Sequence, residues 1–343
     1  MLIKKNKIPI LQIVLLGFWP SFIKKYIYKY KGYKIGKGVK FGLGSVIIGN
    51  EVSIGDYTSF GMISVVRGNT IKINRYVSIG MLTMIDTEKI YIDDDARINE
   101  KVIIGGIRNP DSSIRIGKRT IIMEYSFINP TKPIIIGDDS GIGGHCLLFT
   151  HGSWLNQLDG FPVTFAPITL GERVWLPWRV FIMPGTTIGN DVVIGANSLV
   201  QGIIPSNSMI AGSPAKVIKE NYPTLLNNEK RAKIIESIFN DFAAYLTHNG
   251  IVIRKEDLGG GKFIITIFKE KKNIVVLLIQ NSELNLDDSH KADVLVVDFE
   301  TNYAIKNQMI MNLKSKTREG SNDAGEELAK FMSRYGIRLN RKD

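Results

Sequence analysis

The chain has 343 residues, 44% of them apolar and 22% charged, a length for two domains and an ordinary globular composition. That excludes a wholly disordered chain and a membrane protein of many spans. The one cysteine, Cys146, excludes an internal disulfide framework and any cysteine-cluster metal site, and it fits a reducing compartment best.

The net charge of +11 is local. Residues 1–40 hold ten lysines and no Asp, Glu or Arg, leaving a near-neutral body. Ile8–Trp19 is apolar but too short to cross about 30 Å of hydrocarbon as a helix. Its basic start resembles a signal peptide, yet no small-x-small cleavage site follows. Phe22, Ile23, Tyr26, Ile27, Tyr28 and Tyr30 then interleave with lysines. Residues 1–34 are read as a basic amphipathic helical arm in peripheral contact with an anionic membrane. The other reading is a helix packed on the body with solvated lysines. Nucleic acid is not an expected partner, because the basic surface is confined to one apolar-rich arm.

A six-residue period governs the middle of the chain. Leu170, Leu176, Ile182, Ile188, Ile194 and Val200 are spaced by six, and four residues after each come Val174, Val180, Thr186, Val192, Ser198 and Ile204. Earlier triples are Ile54, Phe60, Val66; Ile73, Ile79, Ile85; Ile92, Ile98, Ile104; Ile116, Ile122, Ile128; and Ile136, Ile142, Leu148. Extra residues fall between triples, not within them. Neither a helix nor simple strand alternation gives a period of six. Three flat sides of six residues make a triangular coil whose aliphatics stack one coil apart. Glycine often follows the aliphatic, as at Gly171, Gly189 and Gly195, and is expected at corners that need strained backbone angles. The result is a parallel β-solenoid over residues 35–220.

Residues 35–219 resemble the hexapeptide-repeat acyltransferases, the left-handed parallel β-helix family. The match is strongest over Ile182-Met-Pro-Gly-Thr-Thr-Ile-Gly-Asn-Asp-Val-Val-Ile-Gly and Ala211-Gly-Ser-Pro-Ala-Lys-Val-Ile-Lys219. The branch it resembles is the sugar and surface-polysaccharide O-acetyltransferases. The resemblance implies a mainly β fold of left-handed hand, acetyl-CoA as co-substrate, a homotrimer and a sugar or glycan acceptor.

The longest interruption of the repeat follows Leu148 and runs from Phe149 to Pro167. A long loop leaving a rigid rod makes a wall for a binding cleft. His151 sits where it departs, and imidazole suits the removal of a proton from a sugar hydroxyl. The resemblance places the family's catalytic histidine there. Asp often follows that histidine in the family; here Gly152 and Ser153 follow, so the group orienting the imidazole stays open between Asp159 and a backbone carbonyl. His145 lies one side earlier on the same coil. Tyr125 and Asn129 lie one coil before, at outward or corner positions, and Trp154 lies in the loop. These four are candidate substrate contacts, with solvated corner residues or loop packing as the other reading. The resemblance adds Trp178, Arg179, Ser198, Lys216 and Lys219 as expected cofactor contacts. No metal is expected: a three-histidine zinc site, known on this fold, would need a histidine before His145, and the chain has none.

After Pro223 the hexads end. Residues 221–343 read as an α+β domain with no assigned role: a helix over Asn227–Leu246, strands over Ile251–Arg254, Phe263–Phe268, Ile274–Ile279 and Val294–Asp298, a strand candidate over Tyr303–Leu313, a linker over residues 314–322 and a helix over Asp323–Tyr335. The expected function is acetyl-CoA-dependent O-acetylation of a sugar hydroxyl on a surface polysaccharide or its precursor. The reaction is expected in the cytoplasm, at the inner face of the membrane, by direct transfer with His151 as base. Two alternatives stay open: N-acylation of an amino-sugar nucleotide, and a non-catalytic trimeric scaffold recruiting a partner through the C-terminal domain.

Overall fold

A computed structural model describes residues 10–269, 273–280, 292–299 and 308–342. The chain forms two compact units, Met1–Thr224 and Leu225–Asp343.

In the first unit the six-residue period becomes three parallel sheets. One face begins at Lys34–Ile35, the next at Lys40–Phe41 and the third at Val46–Ile48, and each returns once per coil. The register stacks the aliphatics predicted from the repeat. On the first face Ile54 pairs with Ile73, then Ile92, Ile116, Ile136, Leu170, Ile188 and Ile204. On the third face Val66 leads to Ile85, Ile104, Ile128, Leu148, Ile182 and Val200. All of these are buried. The second inward position takes isoleucine on most of the first face, as at Ile71, Ile90 and Ile114, and Ser, Thr, Ala, Val or Cys on the other two. Its hydroxyls donate to nearby carbonyls, as Thr83 does to Asn99 and Ser126 to Gly143. Cys146 occupies this ladder too, and burial pushes its thiol up to about 11.

Two expectations need correction here. The recurring glycines such as Gly80 are not in the left-handed region. They are required because a Cβ at Gly80 would lie 2.4 Å from the backbone of Asn99 on the next coil. Beyond Gly38 and Gly44 in the first coil, the left-handed corners between these faces are held by other residues, among them Tyr57, Tyr76, Arg119 and Asp139 between the first and second faces, and Ile63, Leu82, Lys101, Tyr125, His145 and Arg179 between the second and third.

The second correction concerns the basic arm, whose described residues, 10–34, pack on the solenoid. Helix α1 (Ile10–Gly17) and helix α2 (Ser21–Tyr30) cover the start of the solenoid. Lys24, counted by sequence among the headgroup-facing lysines, is buried. Its Nζ donates to the Gly42 carbonyl at 2.7 Å and the Ser45 carbonyl at 3.0 Å. Tyr28 accepts from the Ile47 amide at 2.9 Å, and its ring stacks on Tyr33. A stack of coils has an open end, and these contacts satisfy the polar groups and cover the apolar ones there.

The second unit is a seven-stranded mixed sheet. Helix α3 (Asn228–His248), capped by the Asn227 side chain, and a helix over Asp323–Ser333, capped by Asn322, share one core with it. The expected linker 314–322 is instead a tight turn, with Lys316 at positive φ, and a strand, Thr317–Glu319, paired with Met309–Asn312. Asn312 holds that turn by accepting from the Lys314 and Ser315 amides. Of the strand candidate Tyr303–Leu313, residues 303–307 lie outside the described residues.

Candidate active site

The interruption after Leu148 is a hairpin rooted at the corner between the third and first faces. His151–Gly152 pairs antiparallel with Thr164–Phe165. Thr150, fully buried, pins both ends of the root: its hydroxyl donates to the Asn129 carbonyl at 2.8 Å and its carbonyl accepts from the Ala166 amide at 3.0 Å. A single helical turn, Gln157–Asp159, sits near the tip, capped by Asn156.

His151 is half-buried. It faces Phe165 across the hairpin, ring centroids 5.6 Å apart and planes within 12°, and Phe149, at the end of the preceding solenoid strand, lies 6.4 Å away. This stacking sets the imidazole plane. Nδ1 is buried without a hydrogen-bond partner. Among the described residues, neither Asp159 nor a backbone carbonyl takes the orienting role. Phe165 was not singled out by sequence. The signal was present as Phe149-Thr-His at one end of the insertion and Val-Thr-Phe165 at the other, a pattern two antiparallel strand roots would give.

The other predicted residues fall into separate places. Tyr125, His145 and Trp178 form a column at the corner between the second and third faces, on successive coils. Tyr125 and His145 stack at 5.0 Å and 6°, and Trp178 tilts over His145 at 5.8 Å. Lys101 donates to the Tyr125 hydroxyl at 2.8 Å. Trp178 also lies against Gly144, where a Cβ would be 2.4 Å from its ring. The ring faces within this column are covered by one another, and Arg179 is exposed beside it.

Asn129 is not at an outward position. It is buried, and its Oδ1 accepts from the Thr131 hydroxyl at 2.7 Å, so its side chain braces the hairpin root. Ser198 is buried as well, donating to the Gly195 carbonyl and accepting from the Gly212 amide. Trp154 is 96% exposed and does not pack the loop. Lys216 and Lys219 lie exposed on the closing antiparallel strand Ala215–Glu220. Within one chain, the hairpin root therefore gathers His151 with Phe149 and Phe165. The aromatic column and the two lysines stand apart from it.

No family model matches the chain. It is 37% identical over 142 residues to the putative lipopolysaccharide biosynthesis O-acetyl transferase WbbJ of Escherichia coli, across 40% of this chain and 64% of that relative. It is 30% identical over 134 residues to the putative colanic acid biosynthesis acetyltransferase WcaF of Escherichia coli, across 38% of this chain and 71% of the relative. A solved structure of the polysialic-acid-specific acetyltransferase NeuO is 22% identical with a TM-score of 0.44, across 57% of this chain and 82% of that one. The chain thus spans just under two thirds of the first relative and somewhat more of the second.

Proposed function

The chain belongs to the hexapeptide-repeat sugar O-acetyltransferases, the left-handed parallel β-helix family, and from that premise we propose that it moves an acetyl group from acetyl-CoA to a sugar hydroxyl of a surface polysaccharide or its precursor. One observation carries the reading: a half-buried histidine held by an aromatic stack at the root of the longest break in the repeat.

His151 takes the proton of the acceptor hydroxyl as the oxygen attacks the thioester carbonyl. The tetrahedral oxyanion collapses, the carbon–sulfur bond breaks, and the thiolate leaves with the proton that the imidazolium returns. Cys146 takes no part, since burial raises its thiol far above neutrality and it donates into the Pro177 carbonyl inside the coil. That supports direct transfer without an enzyme-bound acetyl group. With Nε2 as the base, Nδ1 must carry a proton, and a buried donor without an acceptor costs about 1–3 kcal/mol. The proposed homotrimer would supply that acceptor from a neighbouring copy. No described helix is long and apolar enough to cross a membrane.

The test is calorimetric binding of acetyl-CoA followed by transfer assays on neutral-sugar and amino-sugar acceptors, with wild type and His151→Ala. The expected result is unchanged acetyl-CoA affinity and a rate on neutral sugars lowered about 10²–10⁴-fold in the variant. Wild-type rates for His151→Ala would remove the base assignment. Transfer only to amines would replace O-acetylation with N-acylation.

A further inference from the structure

We propose that helices α1 and α2 hold the chain on an anionic lipid bilayer, lying on its surface. The inference is independent of the transfer reaction. Leu11, Val14 and Leu15 on α1, Phe18 in the connection, and Phe22 and Tyr26 on α2 are all exposed and recur every three or four residues. The opposite face of α2 is fixed against the solenoid through Lys24 and Tyr28, so the outer face cannot turn inward to bury its rings. At eight residues, α1 is about 12 Å long, far short of the hydrocarbon thickness. It can lie in the interface but cannot span it.

Charge selects the occupant. Lys25, Lys29 and Lys31 accompany these rings, and residues 1–40 contain no acidic side chain to neutralise them. Two copies packed through this face would bring lysines together without counter-charges. A lipid surface carrying negative headgroups over an apolar interior matches both features.

The experiment is co-sedimentation of the full chain with phosphatidylcholine vesicles, with and without phosphatidylglycerol. Binding is expected only to the anionic vesicles, and salt should weaken it. Lys25→Gln with Lys29→Gln should cost about twenty-five-fold, about fivefold per lysine. Phe22→Ser with Tyr26→Ser should also release the chain; all four side chains lie outside the cap contacts, and circular dichroism checks the fold. Absence of wild-type binding overturns the proposal, as does binding that neither double variant weakens. A wild type that ignores vesicles but self-associates, and becomes smaller by sedimentation velocity in Phe22→Ser/Tyr26→Ser, would assign the face to a second copy.

Discussion

Two substitutions two residues apart should behave opposite to the usual expectation for glycine. Gly80→Ala places a methyl group 2.4 Å from the Asn99 carbonyl carbon and 2.5 Å from the Glu100 amide nitrogen. Ordinary contact begins near 3.4 Å, so the next coil must retreat by about 1 Å while the 2.7 Å bond from the Gly80 amide to the Ile98 carbonyl opposes the movement. Overpacking of this kind costs about 3 kcal/mol, because the obstacle is backbone and cannot change rotamer. Leu82→Gly acts the other way. Leu82 sits at φ 57°, a conformation that costs an L-residue about 1–2 kcal/mol and costs glycine little. Its side chain is 43% exposed, so the apolar loss is about 1 kcal/mol, and the added freedom of the unfolded chain takes about 1 kcal/mol more. The net change should lie within about 1 kcal/mol of zero. Urea unfolding, followed through the solenoid's own transition, measures both. If Gly80→Ala is neutral while Leu82→Gly is the damaging change, close approach between coils is not what the repeat's glycines serve.

Burial holds the Lys24 ammonium down at about 8, against 10.5 when unfolded. The folded state therefore binds fewer protons between those values, and stability should rise from pH 8 to pH 10.5 by up to about 3 kcal/mol; the penalty is fully present below pH 8. Unfolding midpoints across that range should rise in wild type relative to Lys24→Met. Phe165→Ala should lower the transfer rate about threefold to tenfold, with acetyl-CoA affinity and solenoid stability unchanged, and Phe165→Tyr should restore it; a stability loss with no rate loss would make the stack merely structural. In the second unit Arg231 grips Asp298 through two bonds of 2.7 and 2.8 Å, with Asp298 nearly buried. Arg231→Ala should destabilise that unit by about 2 kcal/mol and leave the solenoid transition in place.

The repeat was legible because the physics averages over coils. Ile73, Ile92 and Ile116 meet the same demand at the same place, so a single sequence carries many votes for one geometry. The second inward position was legible in the same way. Ser198 belongs to that set by spacing, whereas its likeness to the family suggested a cofactor contact. The structure places it inside with both hydrogen bonds satisfied, as its spacing predicts. Asn129 shows where spacing fails. It follows the inward Ile128, so alternation points it outward, yet the strand ends there and the corner folds it over Thr131.

The surroundings of His151 were hidden for a related reason. Its position could be read, because it stands at a break in an otherwise regular period. Its contacts could not, because they come from the far end of an insertion that occurs once and has no equivalent coil to vote for it. The arm had the same difficulty: both readings of residues 1–34 left the lysines outward, at headgroups or in solvent, and only the open end of the first coil explains why Lys24 turns inward. A solenoid forces identical corners wherever nothing else is required of them. The hairpin at Thr150, whose hydroxyl and carbonyl are both committed to holding its root closed, is a local structure that the stacking of coils does not demand. It is there, and not in the regular coils, that the chain departs from what folding alone explains.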